Sequence, residues 1–169
     1  MTRIIKVLTL VFVIALSILV GCSPSEEEAL TSVENIAKKQ FKSKSMETNQ
    51  TYEHFSLYVP NGYEIAEVSQ SNLILEKDGQ TYILFYNALE DTTSKLNYQA
   101  AEANGKYQLL QSFKNDQRFG YVKVAELEKD YELQIGIGGV KVTTQTTLAD
   151  IEEDTQEMMQ MANSIAYSE

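Results

Sequence analysis

The chain has 169 residues, 43% hydrophobic and 22% charged, a balance that excludes a disordered polymer and fits one ordinary domain with a short leader. Its formal charge is −10, and acidic side chains outnumber basic ones 24 to 14, which argues against nucleic acid, whose phosphates attract clustered Lys and Arg. A single cysteine and a single histidine exclude an internal disulfide framework, a cysteine-based zinc site and multi-histidine metal centres.

Arg3 and Lys6 precede residues 7–20, an uncharged apolar run of 14 residues, the length of a secretory hydrophobic region. At 1.5 Å rise per residue the run covers about 21 Å against roughly 30 Å of hydrocarbon, short for a permanent span. It ends in Leu19-Val20-Gly21-Cys22, which resembles the lipobox of bacterial lipoproteins. That resemblance implies cleavage between Gly21 and Cys22, a diacylglycerol group on the Cys22 thiol, and an acylated (palmitate-type) N-terminus. Two or more acyl chains, at about 0.8 kcal/mol per buried CH₂, hold a protein where one is marginal. Residues 1–21 are therefore expected to be a signal peptide, residues 22–50 a lipid-anchored tether and N-terminal helix, and residues 51–169 a globular domain outside the cell membrane. Losing the leader leaves 12 basic against 24 acidic side chains. That sign repels an anionic lipid surface, so lipid rather than charge is expected to supply the membrane attachment.

Ser25 followed by Glu26, Glu27 and Glu28 predicts a helix start, with acids where the helix dipole is positive. The helix runs over Glu26–Lys42 with Leu30, Val33, Ala37 and Phe41 on one face and Lys38, Lys39, Lys42 and Lys44 gathered at its far end. Residues 43–50 are polar and read as a linker. Phe55, Leu57 and Val59 then alternate with polar neighbours up to the turn Pro60-Asn61-Gly62, and residues 63–68 form a second short strand. Asp78-Gly79 joins residues 72–77 to 80–87 as a type I′ hairpin. Tyr82 to Tyr86 are apolar on both faces, which predicts a central strand covered on each side.

A helix over residues 93–103 is expected to present Leu96, Ala100 and Ala103. Strands follow at 107–113, 121–127, 131–137 and 140–145; the alternation of Leu133, Ile135 and Ile137 with polar residues points to a strand near an edge. Thr147 and Asp150 open a closing helix whose core stripe is Leu148, Ile151, Thr155, Met158, Ala162 and Ile165, with Met159 and Met161 turned outward. The sum is an α+β fold: a mostly antiparallel sheet of about six strands flanked by helices.

Three features, the Phe55-Ser56-Leu57-Tyr58-Val59-Pro60 opening, the tyrosine-rich central hairpin and the closing Ile165-Ala166-Tyr167, give the chain from Phe55 to Ile165 a form that resembles the α/β/α sandwich of PsbP-like proteins. Lipoprotein members of that family sit on bacterial membranes. The resemblance implies a fold and brings no functional residue.

Glu126, Glu128, Asp130 and Glu132 alternate, so in one extended strand all four carboxylates would face one side and could collect a cation or a cationic partner. A turn at Lys129-Asp130 would split the row into two strand ends. His54 lies on the polar phase of its strand and reads as incidental. Gly136-Ile137-Gly138-Gly139 has neither a Lys-Ser/Thr pair nor a helix after it, so it reads as a bend between strands rather than a phosphate loop. No catalytic constellation and no cofactor site emerges. The expected function is a non-catalytic, lipid-anchored module engaging an envelope protein or a small ligand. The alternative is an envelope hydrolase working on wall glycan through carboxylates alone, which requires two acids meeting in one deep tyrosine-lined cleft.

Overall fold

The computed structural model describes residues 24–167; the leader, Gly21 and Cys22 lie outside them. Helix α1 (Glu26–Lys42) opens on a reciprocal capping box: Glu28 N–H donates to Ser25 Oγ, and Ser25 N–H donates to Glu28 Oε2 at 3.0 Å. Ala29, Val33, Ala37 and Phe41 form its buried stripe, with Ala29 rather than Leu30 at the start. Residues 43–49 are exposed but pinned, since the Asn49 side chain accepts from Val59 N–H and donates to Val59 C=O.

Two short strands, β1 (Gln50–Thr51) and β2 (Phe55–Leu57), pair with β10 (Ala166–Tyr167) in a small three-stranded sheet that ties both ends of the domain together. The main sheet has seven strands: β3 (Glu64–Val68), β4 (Asn72–Lys77), β5 (Gln80–Tyr86), β6 (Leu109–Lys114), β7 (Phe119–Glu126), β8 (Tyr131–Ile137) and β9 (Val140–Thr146). Their order is β3-β4-β5-β9-β8-β7-β6, every pair antiparallel. Asp78 and Gly79 both have positive φ, 52° and 82°, as a type I′ turn requires.

Register explains the core. Leu73, Leu84, Val142, Ile135 and Val122 stand side by side across five strands, and all five are fully buried. Onto this face pack α1 and the closing helix α3 (Ile151–Ser164). Met158, Met159 and Met161 are all buried to 0% exposure, which corrects the outward placement of Met159 and Met161. The periodicity identified one core stripe, but α3 packs on the sheet over β8 and β9 and along its side against α1, which sits over β6 and β7, so two neighbours claim its surface.

The second face is covered unevenly. Helix α2 (Leu96–Asn104) lies over β7, where the Tyr98 ring meets Phe119 at 5.4 Å and Tyr121 at 6.0 Å. Its inward residues are therefore Tyr98 and Ala101, while Leu96 is 52% exposed, contrary to the predicted stripe. Farther across the sheet the described residues leave Ile83 46% exposed, so among them β5 is not buried on both faces as its sequence implied. Strand β8 also departs from expectation, lying inside the sheet between β9 and β7. Its polar residues do not mark an edge; Gln134 accepts from Tyr121 and Glu132 from Lys123 on the neighbouring strand.

The glycines at 136–139 include the β8–β9 turn, with residues 87–95 strapped across it. Gly139 N–H donates to Asp91 C=O and Asn87 N–H donates to Gly139 C=O. Gly138 has φ +54°, and a Cβ there would lie 2.2 Å from Asp91 O and 2.5 Å from Thr92 Cα. A Cβ at Gly79 would meet nothing within 4 Å. Gly79→Ala should thus cost only the left-handed backbone penalty of about 1–2 kcal/mol, whereas Gly138→Ala should lose roughly 1–3 kcal/mol more through overpacking. Urea denaturation of the two variants measures the difference.

Candidate functional site

The acidic row does not converge. Glu126 ends β7 and bonds Gln108, its N–H donating to Gln108 Oε1 at 2.6 Å. Residues 127–130 form the turn, closed by Leu127 N–H donating to Asp130 C=O, and Glu128 stands exposed within it. Asp130 accepts from Gln145 at 2.8 Å. Glu132 pairs at 2.9 Å with Lys123, whose side chain is only 5% exposed. Three of the four carboxylates serve separate partners and Glu128 stands in the solvent, as a turn at Lys129-Asp130 dictates. Among the described residues no group of three or more His, Cys, Asp or Glu side chains is placed to hold a metal ion.

His54 borders a cleft of about 580 Å³ with Tyr52, Phe55, Val68 and Gln70. Its Nε2 lies 3.9 Å from the exposed Glu53 carboxylate. Beside it, Tyr52 carries the one buried side-chain polar atom among the described residues that has no hydrogen-bond partner, and burial pushes its phenol up.

The densest polar cluster was not foreseen. Asp154, 3% exposed in the first turn of α3, accepts from Tyr82 through Oδ1 at 2.6 Å and from Gln80 at 2.9 Å and Thr146 through Oδ2. One turn on, Glu157 accepts from Tyr63 at 2.8 Å and from Lys77 at 2.8 Å, and Lys77 also reaches Glu153 at 2.7 Å. The rings of Tyr63 and Tyr82 meet edge-on at 4.9 Å. Burial pulls the Lys77 ammonium down, but its bonds to Glu153 and Glu157 outweigh that and leave its pKa raised. Both phenols are raised, by burial first, and then by the bonds to Glu157 for Tyr63 and to Asp154 for Tyr82.

Chemically this cluster is a clasp. Each oxygen of Asp154 already accepts a hydrogen bond from within the fold, which leaves it neither a free base nor an open ligand. The sequence did hold a signal for it: Ile151, Asp154, Thr155 and Met158 are spaced as one helical face, so an acid sits on the core stripe. Compared with known proteins, the chain matches no family model and no curated relative.

Asp154→Ala would take the acceptor from the buried Tyr82 hydroxyl and one acceptor each from Thr146 and Gln80, whose amide also reaches Thr144, and should destabilise the fold by about 2–4 kcal/mol in urea titrations. Glu128→Gln, in the exposed turn, should change stability by less than about 0.5 kcal/mol.

Alkaline titration tests the phenols. Tyr121 is also raised, by burial and then by the charge of Glu132. The folded state keeps protons that the unfolded chain loses near the ordinary phenol value of 10. Their contribution to stability is whole below pH 10 and falls as pH rises above it. Ultraviolet titration should show a class of tyrosines that ionises only as the fold opens; all ten titrating together near pH 10 would contradict the network.

Proposed function

We propose that this protein is a lipid-anchored, non-catalytic binding module of the bacterial cell envelope, attached through Cys22 on the extracytoplasmic side. The supporting observation is a succession: two positive charges, 14 apolar residues, Leu19-Val20-Gly21-Cys22, and then Ser25, the capping residue of the first helix, three positions later. An apolar run of that length suits export better than a permanent span. A domain that begins so close to an acylated cysteine needs no separate membrane-binding element. Its partner is an envelope protein or a small ligand. The uncovered second face around Ile83 and the cleft beside Tyr52 and His54 are the surfaces such a partner would meet.

Glycan hydrolysis by carboxylates is the weaker reading. The tyrosine-flanked acids it would use, Asp154 and Glu157, are already committed to Tyr82, Gln80, Thr146, Tyr63 and Lys77.

Mass spectrometry of the protein extracted from native membranes should find the mature N-terminus at Cys22 carrying diacylglycerol and N-acyl mass. Cys22→Ser should leave the precursor uncleaved. A native chain that keeps Met1 and a free thiol would overturn the reading.

A further inference from the structure

The charges of α1 are segregated along its length. Its buried stripe is Ala29, Val33, Ala37 and Phe41, and its outward stripe runs from Glu27 through Thr31 and Asn35 to Lys38 and Lys42, all exposed. Lys39 and Lys44 flank the same end and are also exposed. None of these four lysines enters an ion pair among the described residues, where the paired lysines are Lys77 and Lys123. The acids of the helix stand at the opposite end, in Glu26, Glu27 and Glu28, with Glu34 half-buried midway. A chain whose sum is strongly negative therefore gathers four exposed lysines at and just beyond the end of α1.

The proposed anchor lies close to that helix. Ser25 lies three positions after Cys22, a reach of at most about 11 Å, and the 17 residues of α1 span about 25 Å. The acidic start can stand about one Debye length off the bilayer while the far end tips down onto it. We propose that Lys38, Lys39, Lys42 and Lys44 dock on the anionic phospholipid headgroups of the membrane that holds the anchor, so that α1 lies along the bilayer with its outward stripe down. This rests on the anchor reading above. It departs from the expectation, drawn from net charge, that lipid rather than charge supplies the membrane attachment. Lysines near an anionic surface each add attraction, and the covalent anchor supplies the local concentration that makes weak contacts count.

The test uses the lipidated full-length mature protein, reconstituted from detergent onto vesicles that contain a headgroup-nitroxide lipid. Fluorophores go on Asn35→Cys, in the outward stripe of α1, or on Glu76→Cys, exposed on β4. With phosphatidylglycerol in the vesicles, the label at position 35 should be quenched at least about twofold more than the label at position 76. The asymmetry should vanish in pure phosphatidylcholine, in 1 M salt where the screening length is about 3 Å, and in the variant K38Q/K39Q/K42Q/K44Q. The corresponding four-arginine variant should keep it. Equal quenching at both positions in anionic vesicles, or an asymmetry that survives the four glutamines, overturns the docking. Flotation with phosphatidylcholine vesicles tests the anchor separately: protein that fails to float refutes the lipid attachment, whereas protein that floats without the asymmetry refutes only the lysine contact.

Discussion

A carboxylate shut away from water joins the two layers of this domain. An unpaired buried charge costs several kcal/mol, and Asp154 avoids that cost only where Tyr82 and Gln80 of β5 and Thr146 of β9 come together. The bonds therefore specify where α3 begins on the sheet. With its start fixed, the helix delivers Met158, Met159, Met161 and Ala162 into the core at determined depths. Helix α1 then packs on what α3 leaves open, and the outward stripe of α1 follows from that packing. A hydrophobic residue at position 154 would bury as well but would not select this register.

The sheet uses its two faces differently. Toward α1 and α3 it is a close-packed aliphatic surface, with Gly120 in β7 leaving room for the Phe41 ring, which a Cβ there would approach to 2.9 Å. On the other side, polar pairs such as Lys123 with Glu132 and Tyr121 with Gln134 run between adjacent strands, and among the described residues the cover comes from α2 and the strap at 87–95. A strand with polar residues in alternate positions can thus be central, because its neighbours on the second face satisfy those groups. An apolar strand such as β5 can likewise leave Ile83 open without losing the core.

Those two cases show what could be read in advance. Helix α1 was legible to its last residue because its determinants are local: a cap, a dipole-matched charge order and a four-residue stripe. The Asp78-Gly79 hairpin was legible for the same reason, since only a few residue types tolerate two positive φ values in succession. Strand order was not, because β5 pairs with β9 across more than fifty residues and no local pattern encodes the partner. The burial of both Met159 and Met161 depended on α1 packing beside α3 on the same face of the sheet. For Asp154, the acid-rich first turn invited a dipole reading that fits its neighbours Glu152 and Glu153, both exposed, and conceals the one acid that faces inward.

Charge order and anchoring are linked through the helix itself. In the proposed anchored form, cleavage before a lipid-modified Cys22 would leave the new N-terminus beside the first described element, which is a helix. The macrodipole favours acids at the start of a helix and cations at its end, so the same preference that stabilises α1 separates its negative end from its positive end by the helix length. Placed beside an anionic bilayer, such a helix is repelled near its point of attachment and attracted far from it. A net charge describes neither end. In the anchored reading, the orientation of the domain would then follow from the electrostatics of helix formation, without any surface having to become basic overall.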